Sequence, residues 1–530
     1  MGPAGVRFGW VAGGAGGDLE TGGDVSSGGN SVRVGQATTQ RASWVVTAVL
    51  LVTLAGAAVR VAFLSHPMRY DEAWNFLQFS SRAPTYIVTH YAPNNHVLHT
   101  LCVRFASHWL GTSPAALRVP TLVVGILLIP LSAWTAWRLM GDRRTALLTA
   151  VMVAACSHMV EYSANSRGYL MLTLFVLLQT LCTLKLLELP QRWRWWLAWA
   201  LVGALGAYTM PIMLYPFAGL CVVLVLGAIG APRRSERRRG LVRGLAVGVP
   251  LCGVVTVGLY APALVAQGLA ATWQTREHTT NAWNPVVGSR MGALVEMWRL
   301  ASRDASWAWC VVLVGGLVAY VRYLVRHPSL KRALPLIMVG VAVLVVLAQG
   351  VLLRDRVWLF AAPLIFACCA HGVLHVFPER VMRRWGGAPT RVVTALVVMT
   401  GVLVLLNVYR EPYLCAEPDV IVDAERIVAE CRASGLERYA VVMRYTPSLG
   451  YYLQRAHVPT PVGPADAERV YIMADKVRSL AAQWHPGVEG YEHFEAPHLV
   501  RRLGRGVLYA ADRLPGAADV KLSRSDGPRG

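Results

Sequence analysis

Three polar stretches interrupt an otherwise apolar chain: "RYDEAWNF" (69–76) with its continuation "HYAPNNHVLH" (90–99), "ANSRGYLML" (164–172) and "RDRVWLFAAP" (354–363). Together they hold two adjacent carboxylates (Asp71, Glu72), four arginines (Arg69, Arg167, Arg354, Arg356), the run Asn94, Asn95 and His96, and also His99 and Tyr169. A charged side chain at membrane depth costs several kcal/mol, so it reads as functional by default. Arginines at the end of a span, where headgroups lie, match a phosphate through planar paired donors. A carboxylate nearby can take a proton from a hydroxyl. The two together describe displacement at a carbon that bears a phosphate leaving group, with an alcohol as nucleophile. Phosphate departs as a stable anion, so the second carboxylic acid that glycosidases need is dispensable.

Each residue also has a plainer reading. Asp71 could be a solvated interfacial acid, and Glu72 could pair with Arg69 on a helical turn. His96 and His99 stand at i, i+3, with His90 and Glu72 near in sequence, which admits a divalent metal, a hydrogen bond to substrate, or ordinary packing. The residues single out no certain cofactor, a divalent metal being one option among these. Arg167 could snorkel, and Arg354 and Arg356 could pair with Asp355 between them. Tyr169 and Trp358 fit an interfacial aromatic belt better than a sugar platform.

The elements that must position these residues are membrane spans. The 530-residue chain is 55% hydrophobic and 15% charged, with a mean hydropathy of +0.43, whereas soluble domains carry about 25% charge. Its net charge of +21 sits in short clusters between apolar runs, not in an aromatic-basic nucleic-acid signature. Eleven apolar runs have spanning length: 44–64, 118–138, 145–163, 168–187, 196–213, 214–231, 244–266, 305–325, 335–353, 357–377 and 391–409. Basic clusters, the densest being "RRSERRRGLVR" (233–243), fall in every second connection. By the positive-inside rule those connections face the cytoplasm. The N-terminus is then inside, the C-terminus outside, and all three polar stretches share the outer face. Residues 97–111 are apolar on one side but carry His99, Arg104 and His108. They are expected to form an interfacial or re-entrant helix.

Residues 1–43, rich in Gly and Ser, are expected to be a disordered cytoplasmic tail, too long and glycine-rich for a signal-peptide n-region. After 410 the composition turns soluble. Strands are expected at "RYAVVM", "RVYIMA" and "GVLYAA", with helices at "PDVIVDAERIVAECRASG", "SLGYYLQRA" and "VRSLAAQWH". That alternation predicts a small α/β domain over 411–514, followed by a disordered tail at 515–530.

The Asp-Glu pair after the first span, the turn-and-helix "PNNHVLHTL", the Arg-Tyr start "SRGYLML" and the arginine-aromatic start "RVWLFAAP" resemble the GT-C superfamily of polytopic glycosyltransferases. The likeness is to its family 39, the protein O-mannosyltransferases, and to the aminoarabinose-transferase-like group, and it covers about 44–410. It implies a GT-C-like catalytic domain of about eleven spans in a bacterial inner membrane. The implied reaction is inverting transfer of one sugar from a polyprenyl-phosphate carrier to a glycan, lipid or protein acceptor on the periplasmic face. Carried over, Asp71 is the general base, with Glu72 beside it, and Arg167 and Arg356, with Arg354, meet the carrier phosphate. Tyr169, Asn95, His96 and His99 complete the candidate substrate-binding set. Where many relatives have a Pro-Pro pair this chain has Asn94, Asn95 and His96, which leaves sugar and acceptor preference open. The rivals are a transporter, whose charges would line a pathway, and an inactive scaffold of an envelope-glycan pathway.

Overall fold

The computed structural model describes residues 28–281, 307–349, 355–376, 395, 427–430, 432–435, 438–442, 446–458, 467–475, 494–502 and 506–514. The chain forms two compact units. One comprises 1–64, 84–109 and 115–411; the other comprises 65–83, 110–114 and 412–530.

The first unit is helical. In chain order its helices are α1 (Gly28–Ala62), α3 (Pro84–Thr89), α4 (Val97–Leu110), α5 (Pro114–Met140), α6 (Arg143–Ala155), α7 (Ser157–Ser163), α8 (Tyr169–Glu188), α9 (Trp193–Thr209), α10 (Leu214–Ile229), α11 (Glu236–Asn281), α12 (Trp307–Arg326), α13 (Leu330–Gln349) and α14 (Ala362–Leu374). The intervening α2 (Tyr70–Asn75) belongs to the second unit. Among the described residues six helices are long and apolar enough to cross a membrane, or seven if the bent pair α6–α7 is one span. Eleven were expected. Part of the difference has local causes, although the 20-residue α12 is also not among the six. The run 357–377 opens with a 3₁₀ turn, Asp355–Phe360, leaving α14 only 13 residues. The helix α9 has 17, and 391–409 lies outside the described residues apart from Ala395. The first spanning window, Trp44–Ala62, falls where expected, although α1 itself begins at Gly28.

The α4 helix has 14 residues. At 1.5 Å per residue it is about 21 Å long, short of the roughly 30 Å hydrocarbon core. It buries His99, Thr100, Val103 and Ser107 and exposes Phe105 and Trp109. The buried face carries polar side chains and the other exposes large aromatics, so the helix is amphipathic.

The break between α6 and α7 shows how this unit manages buried polar backbone. The two helices are bent by 60° at Cys156, whose ψ of 118° leaves the helical range. Such a break strands carbonyls that lipid cannot satisfy. Arg60, fully buried on α1, fills the gap. Its guanidinium donates to Val153 O at 3.1 Å, Ala154 O at 3.2 Å, Gly56 O at 3.0 Å and Ser163 Oγ at 2.9 Å.

The second unit holds the small α/β layer: β1 (Tyr439–Val442), α15 (Thr446–Arg455), β2 (Arg469–Asp475), β3 (His498–Arg502) and β4 (Gly506–Asp512). Strand order is β1-β2-β4-β3, with β1 parallel to β2 and the other pairs antiparallel. The three expected strands and the helix at 448–456 appear; the edge strand β3 was not foreseen. Helical residues at 427–430 and 432–434 precede Gly435, whose φ of 62° is the left-handed stop glycine readily adopts. The expected helix at "VRSLAAQWH" and both expected disordered tails, apart from 28–43, lie outside the described residues. "RYDEAWNF" packs in this unit too. Met68 N–H donates to Tyr452 Oη at 3.1 Å, and Phe76 meets Tyr451 edge-on at 5.5 Å.

Candidate active site

In the first unit the site grows from the loop between α7 and α8. Ser166 Oγ donates to Leu117 O at 3.0 Å, pinning the loop to α5. That sets Arg167 just before the N-terminus of the 20-residue α8, where the helix dipole adds positive character. Arg167 is 1% exposed. Its two terminal nitrogens donate to Asn94 O at 3.3 Å and Asn94 Oδ1 at 3.0 Å.

Tyr169 unites the constellation. It is buried, with the Arg167 guanidinium 6.0 Å from its ring centroid and the Arg356 guanidinium 5.6 Å from the same centroid. His96 meets the ring edge-on at 5.3 Å, and Tyr162 does so at 5.2 Å. The belt reading of Tyr169 therefore gives way, because the ring is enclosed between two cations and an imidazole. Two segments nearly two hundred residues apart in sequence thus deliver arginines to one ring. The 3₁₀ turn Asp355–Phe360, packed on α8, carries Arg356. Arg354 and the Asp355 side chain lie outside the described residues.

His96 is held in one tautomer. Its Nδ1 accepts the Gly168 N–H at 2.9 Å, so the ring proton sits on Nε2. Burial, with Arg167, His99 and Arg356 adding to it, keeps its pKa well below the ordinary imidazole value. His96 is a neutral N–H donor beside the arginines. The close approach also explains Gly168, where a Cβ would come within 3.0 Å of His96 Cβ and Nδ1.

Asn95 does something else. Its Nδ2 donates to Ile87 O at 2.9 Å and His90 O at 2.8 Å, fastening the turn that presents its neighbours. The residue that reaches Arg167 is Asn94, which sequence reasoning noted only as a departure from a Pro-Pro pattern. His99 is buried on α4 next to this turn. Trp358 stacks on Phe360 at 5.8 Å. With Nδ1 accepting the Gly168 N–H and the proton on Nε2, His96 as held here has no lone pair left to offer a metal.

In the second unit, α2 presents the two carboxylates differently. Glu72 is 1% exposed and accepts the Arg69 N–H at 3.1 Å through Oε2. This bond from the Arg69 backbone caps the helix. Asp71 is half-buried on the next position round, consistent with the roughly 100° between successive residues of a helix.

With this geometry in place, similarity to known proteins can be read. The sequence profile of the dolichyl-phosphate-mannose-protein mannosyltransferase family matches residues 98–257. ArnT from Cupriavidus metallidurans superposes on the chain with a TM-score of 0.59 in its apo state, at 14% identity, covering 89% of this chain and 98% of that one. The chain has the fold of the GT-C glycosyltransferases. The mannosyltransferase profile spans under a third of the chain. ArnT bound to undecaprenyl phosphate gives a TM-score of 0.58 at 16% identity, over 91% and 99% of the two chains. The Archaeoglobus fulgidus oligosaccharyltransferase with Zn and sulfate gives 0.50 at 11% identity, over 86% and 72%. No curated protein sequence matches the chain. The resemblance read from the polar motifs therefore stands at the level of the fold.

Proposed function

We propose that this GT-C glycosyltransferase moves a monosaccharide from a polyprenyl-phosphate carrier to an acceptor hydroxyl at the periplasmic face of the inner membrane, with inversion. The observation that carries the reading is the convergence of Arg167 and Arg356 on Tyr169, with the neutral His96 beside them. Two cations gathered on one ring, Arg167 buried and Arg356 half-buried, suit a phosphate, and His96 Nε2–H adds an uncharged donor beside them. Undecaprenyl phosphate in the ArnT crystal structure supports the same ligand class here. In this reading the arginines hold the phosphate and stabilise it as it leaves. Asp71, the more accessible of the two acids, takes the acceptor proton, while the capping Glu72 orients α2. The alternating basic clusters support the outward placement of the site.

Asp71→Asn tests the role of the base. The substitution keeps shape and most hydrogen bonding and removes the proton acceptor. Transfer from a polyprenyl-phosphate sugar should slow by about 10²- to 10⁴-fold with carrier affinity retained. A variant that transfers sugar at the wild-type rate would shift the role to Glu72.

A further inference from the structure

A second constellation lies at the other end of the α6–α7 span from Arg167. α6 alone separates the two by about 20 Å at 1.5 Å per residue. There Asp142, which caps the N-terminus of α6, meets His371 and His375 at the C-terminus of α14. One ligating atom from each lies within 4.8 Å of the others. The two histidines stand at i, i+4 in "HGVLH", a spacing that puts both rings on one helical face.

Hydrogen bonds fix which nitrogens are available. Thr145 Oγ1 donates to Asp142 Oδ2 at 2.7 Å, so toward His371 Nδ1, 3.2 Å away, it can only accept. His371 then carries its proton on Nδ1 and a lone pair on Nε2. His371 is 2% exposed, and its buried Nε2 has no hydrogen-bond partner. His375 Nδ1 lies 2.9 Å from His371 O, a carbonyl that can only accept, so its Nε2 also carries a lone pair. Two imidazoles with their Nδ1 protons anchored and both Nε2 atoms unprotonated are the arrangement that outer hydrogen bonds impose on metal-binding histidines.

We infer that Asp142, His371 and His375 bind one transition-metal ion of the zinc type, tying the start of α6 to the end of α14. Imidazole nitrogen selects zinc, copper or nickel over magnesium and calcium, which take oxygen ligands. Three protein ligands leave a fourth tetrahedral position to water. Bonds of about 2.0–2.1 Å would draw the ligating atoms to roughly 3.3 Å apart, an adjustment that the exposed His375 can make by rotation. Tyr323 packs on both rings, at 4.7 and 5.3 Å, and Arg332 lies over Tyr323 at 5.4 Å. That guanidinium opposes a dication, so the Asp142 charge is needed to offset it. The basic cluster Arg138, Arg143 and Arg144 assigns this end to the cytoplasm, which separates it from the donor site.

The test uses the full-length, tag-free protein in detergent, stripped with a chelator and titrated with Zn²⁺ against a chromogenic competitor. One tight equivalent is expected. His375→Ala, at an exposed position that should fold normally, and His371→Ala should each weaken it at least tenfold. Asp142→Asn, which can still cap α6, should also weaken it. Zn²⁺ should raise the thermal midpoint of the wild type and not of His375→Ala. Absence of a tight equivalent in the wild type, or affinity unchanged in His375→Ala, overturns the assignment. Undiminished binding in both histidine variants would place the metal among other residues and overturn it equally.

Discussion

Replacing Arg167 and Arg356 singly and together asks whether they serve one phosphate. Arg167 is buried, donates twice to Asn94 and shares the Tyr169 ring with Arg356. A charge-assisted hydrogen bond to an ionised partner contributes about 1.5–3 kcal/mol, and each 1.4 kcal/mol is tenfold in affinity. Arg167→Ala should therefore weaken binding of undecaprenyl phosphate by about 10- to 150-fold, and Arg356→Ala, only half-buried, should fall toward the lower figure. If both touch the same anion, the double variant should depart from additivity by about 0.5–3 kcal/mol. The assay is a double-mutant cycle on Kd for undecaprenyl phosphate in detergent, with a thermal midpoint for each variant as a folding control. Single variants that bind within threefold of wild type would refute the phosphate role. Losses that add to within about 0.3–0.5 kcal/mol, the behaviour of independent sites, would refute a shared phosphate.

Arg60→Leu removes donors from the Val153 and Ala154 carbonyls at the bend, and each buried unsatisfied group costs about 1–3 kcal/mol. The variant should show a lower thermal midpoint in detergent, and a midpoint equal to wild type would dismiss the account of the break. Gly168→Ala puts a Cβ against His96 at 3.0 Å, so it should break the Gly168–His96 hydrogen bond. Overpacking of this kind costs about 1–3 kcal/mol; unchanged turnover and stability would show that the contact is dispensable. His96 should stay neutral and Nε2-protonated across pH 5–8, visible by nitrogen NMR of labelled histidine. Because its folded pKa is depressed, the unfolded chain binds the extra proton first. Its contribution to stability should be complete above about pH 6.5, the ordinary imidazole value, and should decline as pH falls below it. A His96→Asn variant with the same acid-side decline would remove His96 as the cause.

Much of the architecture was legible in sequence because its signals are local. A span declares itself by about twenty consecutive apolar residues, a short strand by a β-branched and aromatic run bounded by turns, and a short amphipathic helix by polar residues on one side of an apolar pattern. Those signals gave α4, most spans, β1, β2, β4 and the three polar stretches. The edge strand β3, "HLVRR", escaped because an exposed edge needs no apolar run. The sequence alone also set the alternation of basic clusters, which depends only on counting along the chain.

Tertiary structure decided what depends on pairs remote in the chain. Nothing near Tyr169 shows that Arg356 will reach its ring, nor anything near Arg60 that two carbonyls some ninety residues on will need it. The Asn94–Arg167 hydrogen bonds, the Tyr452–Met68 contact and the chain from Asp142 through Thr145 to His371 are of the same kind. In each, a buried polar group had to find a partner once water was excluded, and which partner it found depended on the packing of helices and not on any local pattern. Hydropathy determined where the helices are, and the satisfaction of buried polar groups, possible only after packing, determined the site.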